Sequence, residues 1–187
     1  GIIEQMRDFS LKKRSSKRLG IIAVTLFLFC NAGYAQDSKE MYYQGIEAAK
    51  SGDLDYAFMY FQSLLASSPE SKYKEDSLFA TGEYYFVIGD YRDANRAFIQ
   101  LNSDSSNFKG KIFALAYLLK IAEMQGNEAA VKNLENKIVT SKRLILLFKN
   151  SKEYKYKSPL CKKYKVIYYI DKVQFYLEGK LFEQISY

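Results

Sequence analysis

Histidine and tryptophan are both absent from this 187-residue chain, and proline occurs only twice. The missing histidine excludes most: it removes the commonest general base, the Ser-His and Cys-His nucleophile arrangements, and most zinc sites. Two prolines and ten glycines are too few for a turn-dense sandwich and favour helices. Cysteine is scarce as well, at two residues, Cys30 and Cys161. With no histidine to activate it, Cys161 reads as an inert or slowly oxidising thiol. The glycines do not cluster into a phosphate-binding loop, and no Asp-x-Asp-x-Asp-Gly calcium loop occurs. The chain therefore offers no cofactor or metal set and reads as non-catalytic. An enzymatic alternative, a cell-wall accessory activity, would have to rest on Cys161 or on acidic residues such as Asp55, Asp93 and Asp104.

What the chain does contain is a globular mixture, 48% hydrophobic and 26% charged, too apolar for wholesale disorder. Its net charge of +7 is unevenly distributed. Residues 1–35 carry six basic side chains against two acidic ones, and residues 36–141 carry 11 against 15. Residues 142–165 hold nine basic side chains against Glu153 alone. An acidic middle thus lies between a basic leader and a basic tail.

The leader reads as an address. Lys12, Lys13, Arg14, Lys17 and Arg18 form a positive n-region, and Leu19 to Phe29 an uncharged apolar run. Small Gly33 and Ala35 follow at the −3 and −1 positions of a cleavage site before Gln36. That order is the order of a secretory signal peptide over residues 1–35. Met6 fits a translation start directly ahead of the basic cluster, which would leave residues 1–5 untranslated. A retained anchor is the rival reading, but about 11 apolar residues fall short of the ~20 that span a bilayer. Phe29 immediately before Cys30 departs from a lipidation box. The mature chain is expected in the periplasm or outside the cell, and Cys161 would then be its one cysteine, without an intrachain disulfide.

Internal repetition organises the middle. Gly52-Asp53 recurs as Gly89-Asp90 and again as Gly126-Asn127, each 37 residues on. The same offset matches Gly45 to Gly82, Ala57 to Ala94, Phe61 to Phe98 and Leu64 to Leu101. Leu54, Ala57, Phe61 and Leu64 lie on one face of a 3.6-residue helix, as do Tyr91, Ala94, Phe98 and Leu101. Gly52 and Gly89 stand where a helix ends in a left-handed conformation, and Asp53 and Asp90 where the next helix needs a cap. Each unit is expected to be a helical hairpin, over about 38–71, 75–108 and 111–141. In the third, Ala130 and Val131 compete for the small position.

The stretch YYQGIEAAKSGDLDYAFMYFQSLLASSP resembles the tetratricopeptide repeat, with Gly45, Gly52-Asp53, Ala57, Phe61 and Pro69 at its small, turn, aromatic and closing positions. EYYFVIGDYRDANRAFIQL resembles it too, through Tyr85, Gly89-Asp90-Tyr91, Ala94 and Phe98. The family period is ~34 residues, so these units are about three longer. The resemblance implies an all-α fold, a short right-handed superhelical array, with small residues letting paired helices approach and Phe61 and Phe98 plugging between units. It also implies a concave groove that takes a segment of another protein. Carried over by position, that groove would be lined by Lys39, Tyr42, Ile46 and Lys50 in unit one. Asp76, Phe79, Glu83 and Phe86 would follow in unit two, and Phe113 and Lys120 in unit three. The same residues can equally serve as ordinary packing between helices.

Beyond the repeats, residues 142–163 read as a basic linker. Its run KEYKYKSPLCKKYK admits a solvated linker, a contact with an anionic envelope surface, or nucleic-acid stacking. An exported chain rarely meets nucleic acid. From Tyr164 the pattern turns β-branched and aromatic, and residues 164–187 are expected to form a β-hairpin or small meander about Glu178-Gly179. An isolated hairpin is marginal, so it must pack on the helices or pair with something else. The functional expectation is a non-catalytic adaptor or scaffold of a bacterial-type cell envelope. The alternative is a structural surface protein that self-assembles through its C-terminal strands.

Overall fold

A computed structural model describes residues 37–103, 108–141 and 151–187. The signal-peptide reading of residues 1–35, residues 142–150 of the basic stretch and Asp104 lie outside the described residues. Within them the chain is mostly helical, with six α-helices followed by a four-stranded antiparallel sheet. The helices are α1 (Ser38–Lys50), α2 (Leu54–Ser67), α3 (Lys74–Val87), α4 (Tyr91–Ser103), α5 (Lys111–Met124) and α6 (Glu128–Thr140). Each packs on its neighbour in sequence.

Three helical hairpins follow from one turn chemistry used three times. Gly52, Gly89 and Gly126 have φ of 86°, 82° and 65°, a conformation in which a β-carbon would be strained. At each, the amide after the glycine reaches back to a carbonyl of the preceding helix: Asp53 N to Ala48 O, Asp90 N to Tyr85 O and Asn127 N to Ala122 O, all 2.9 Å. The same residue then turns to the next helix. The Asp53, Asp90 and Asn127 side chains accept from the amides of Tyr56, Asp93 and Ala130, closing orphan donors at the helix start.

Packing inside the hairpins is set by the repeated glycine. A β-carbon on Gly45 would lie 2.8 Å from the Phe61 ring, and one on Gly82 would lie 2.7 Å from the Phe98 ring. Phe61 and Phe98 therefore plug first into their own hairpins. Phe98 also reaches the next unit, stacking on Tyr117 of α5 with centroids 4.6 Å apart and planes 7° from parallel. The third unit, which lacks the repeat's small and aromatic signature, supplies the most buried helix. Phe113 through Leu119, Ile121 and Ala122 of α5 are all buried. A helix apolar on every side belongs inside.

Strands β1 (Ser151–Lys157), β2 (Lys163–Tyr169), β3 (Lys172–Leu177) and β4 (Lys180–Ser186) form a meander in that order. Residues 151–157, which the sequence places in a linker, are thus a strand, and the expected hairpin or small meander of 164–187 is the remaining three strands of a larger sheet. The tyrosines decide it. Tyr154 and Tyr156 pair with Val166 and Tyr164 on the inward face, while Lys155 and Lys157 pair with Lys165 and Lys163 on the outward one. That is an alternating half-buried strand. A bulge at Phe175–Tyr176 leaves Phe182 as the extra residue of β4 and turns its ring to the core beside Tyr117, 5.0 Å between centroids.

The sheet and the helices share one core. Tyr164, Val166, Tyr168, Val173, Phe175 and Ile185 lie in the same buried cluster as Phe79, Phe98, Phe113 and Tyr117. A second cluster under unit one, around Ala49, Ala57, Phe61 and Ala80, is closed by Leu160 from the β1–β2 turn.

Candidate functional site

The face lined by α1, α3 and α5 is where the repeat resemblance places a groove, and the chain's own sheet lies across it. Phe79 of α3 meets Tyr156 and Tyr164 edge-on, at 5.4 and 5.6 Å between centroids. Phe113 of α5 stacks near Tyr156 at 5.9 Å and Tyr164 at 5.1 Å. Phe86 contacts Phe182 at 6.1 Å, and Ile46 packs in the cluster that Leu160 closes. Lys120 pairs with Glu183 of β4 at 3.0 Å and with Glu123 at 3.4 Å. Tyr42 reaches the sheet through a shared carboxylate: it donates to Asp76 Oδ2 at 3.2 Å, and Tyr156 donates to Oδ1 at 3.1 Å. Lys39 and Lys50 remain exposed. The first has its amide on Asp37, and the second pairs with Glu47 at 2.6 Å.

Glu83 is the most unusual of these residues. It is fully buried, and Tyr164 of β2 donates to its Oε1 while Tyr117 of α5 and Tyr164 share a hydroxyl contact of 2.6 Å. Burial pushes its pKa up to about 7, against the opposing influence of Lys162, Tyr164 and Ser158. Ser158 is close enough to matter but not in hydrogen-bonding geometry to Oε2, which has no partner among the described residues. Burial also raises the Asp76 pKa, and the two tyrosine hydroxyls oppose it. Tyr42, Tyr117, Tyr156 and Tyr164 are all shifted upward, chiefly by desolvation and then by these carboxylates. The arrangement clasps two carboxyl groups between helices and sheet, with one oxygen of Glu83 left unpaired.

Open concavity lies elsewhere. A groove of about 430 Å³ runs between α4, α5 and α6. Leu115, Leu118 and Ala122 of α5 form its floor, with Ile99 and Leu134 on its walls. Asn95, Asn102, Asn127 and Asn133 supply amide groups along it. It continues past Asn136 to Thr140 and Ser141. The repeat resemblance does not point to this groove, because its walls sit on α4 and α6, the second helices of their units, and only its floor belongs to a first helix, α5. The visible signal was the asparagine spacing on α4 and α6, where Asn95–Asn102 and Asn133–Asn136 each return to one helix face.

No group of three potential metal-ligating His, Cys, Asp or Glu residues occurs among the described residues. Cys161 is half-buried in the β1–β2 turn, with φ of 63° and its thiol 3.9 Å from the Pro159 carbonyl. No described helix is long and apolar enough to cross a membrane. Compared with known proteins, the chain matches no family model and no curated sequence.

Proposed function

We propose that this protein is a non-catalytic interaction scaffold of the bacterial cell envelope, built on a short right-handed tetratricopeptide-like superhelical array. Three hairpins with one turn chemistry and the Gly–Phe packing of the first two support the array. The basic, apolar, small-residue order of residues 1–35 supports export. In this reading the concave face holds the chain's own sheet, and a partner's extended segment docks in the groove between α4, α5 and α6. The observation that carries the docking site is its combination of an apolar floor with amide side chains. The floor takes alternate side chains of a strand-like peptide, and each amide can both donate to and accept from a peptide backbone.

A photo-crosslinking residue at Ile99, on the groove wall and 51% exposed, tests this in the producing cells. The same residue at Tyr56, which is also exposed, serves as the control. A defined protein adduct at position 99 and not at 56 supports the groove. Adducts at neither site, or equally at both, count against it. The self-assembly alternative has its own observation: β1 and β4 end the sheet order, so each has an edge that no other described strand pairs. It predicts adducts between copies of the chain from a crosslinker at Leu181.

A further inference from the structure

The outward face of the sheet carries an arrangement that folding alone does not explain. Lys155 stands directly across from Lys165, and Lys157 directly across from Lys163. Opposed residues on neighbouring strands have α-carbons only about 4.5–5.5 Å apart, and like charges so placed are destabilising. Two such pairs, successive on one face, put four ammonium groups in one patch. Glu153, paired with Lys155 at 2.7 Å, is the one carboxylate at an outward strand position among the described residues. The four lysines and Gly179 line an open depression of about 440 Å³.

We propose that this lysine face docks on an anionic phospholipid surface. Charge complementarity is the first argument: residues 151–187 hold eight lysines against four acidic side chains, whereas the helical stretch 37–141 is net acidic. The choice of cation is the second. The sheet contains no arginine, so it lacks the planar fork that reads individual phosphates. Lysine instead acts as a mobile point charge, contributing about 1 kcal/mol near an anionic membrane. The third argument separates a membrane from a nucleic acid. Single-stranded nucleic acid would need open aromatic faces for its bases. Here Lys165 lies over the Tyr176 ring at 4.7 Å and Lys172 over the Tyr169 ring at 5.3 Å. Leu181, paired with Tyr176 on the same face and 55% exposed, adds an apolar contact at the margin.

The test is co-sedimentation of the full chain with vesicles of phosphatidylcholine, with and without phosphatidylglycerol. A variant with Lys155, Lys157, Lys163 and Lys165 all changed to Gln is compared with one in which Lys72, Lys74, Arg92 and Arg96 are changed to Gln. The two lose the same charge and share residues 1–36. Wild type and the second variant are expected to bind the anionic vesicles, more weakly as salt rises. The sheet variant is expected to bind at least about tenfold less. It should melt no lower than wild type, since the like-charge pairs are gone. Equal losses in both variants, no loss in the sheet variant, or no wild-type binding to anionic vesicles overturns the proposal. So does binding of a single-stranded oligonucleotide through these lysines while vesicles are ignored. None of these outcomes depends on whether a partner peptide occupies the helical groove.

Discussion

A single methyl group probes how the repeat units close. Gly82 lies so near the Phe98 ring that a β-carbon would meet it at 2.7 Å, and Phe98 is itself wedged against Phe79 and Tyr117. Neither neighbour can yield, so Gly82→Ala should cost about 1–3 kcal/mol by overpacking, read as a lower midpoint in urea. Glu83, one residue on, makes a prediction of a different kind. Its folded pKa of about 7 lies above its ordinary value of 4.5, so the fold binds the proton more tightly than the unfolded chain does. The stability this confers is complete below about pH 4.5 and is lost as pH rises through about 7, a change of about 3 kcal/mol. Glu83→Gln should flatten that profile and leave the variant more stable than wild type at pH 8. An unchanged slope between pH 5 and 8 would show that Glu83 is not the group responsible. The helix–sheet seam around it is shared with Tyr117, Tyr156, Tyr164, Ser158 and Lys162.

Among the elements, the sheet is expected to be essential to the helices. Its inward residues cover Phe79 and Phe113, which are almost wholly buried in the intact chain. A chain ending at Ser141 would expose both, together with the carboxyl of Glu83. It should bind a hydrophobic dye, lose near-ultraviolet tyrosine dichroism, and unfold at markedly lower urea. Undiminished stability of that fragment would mean the array stands alone. The helical hairpins were legible in sequence because their determinants are local: a glycine for positive φ, an Asp or Asn for the cap, and a small residue opposite each phenylalanine. Strand β1 was not, because its run of lysines resembles solvated chain. The alternation of Tyr154 and Tyr156 with Lys155 and Lys157 was the available cue. The burial of Glu83 had no local cue at all, since its tyrosine partner lies 81 residues away. Of the ten residues carried over as a groove, Tyr42, Ile46, Asp76, Phe79, Glu83, Phe86, Phe113 and Lys120 meet the chain's own sheet or its β1–β2 turn, directly or through Asp76. Lys39 and Lys50 stay exposed, and sequence could not show that sheet.

Over the whole molecule, the described residues combine an acidic helical layer with a basic sheet around a common aromatic core. Tyr164 and Phe79 lie in one cluster with residues from five further elements, so helices and sheet should unfold together. The polar side of that core carries a hydrogen bond from Tyr164 to Glu83, 81 residues apart in the chain, which joins the sheet to α3. A double-mutant cycle of Glu83→Met, which removes the acceptor oxygen, and Tyr164→Phe, followed by urea unfolding at pH 5, tests that claim most directly. Seating of the sheet on the helices predicts that the two changes couple by about 1 kcal/mol or more, as groups in one hydrogen-bond network do. Additivity within about 0.3–0.5 kcal/mol would mean that the two side chains do not meet, and that the repeat face is open to another partner.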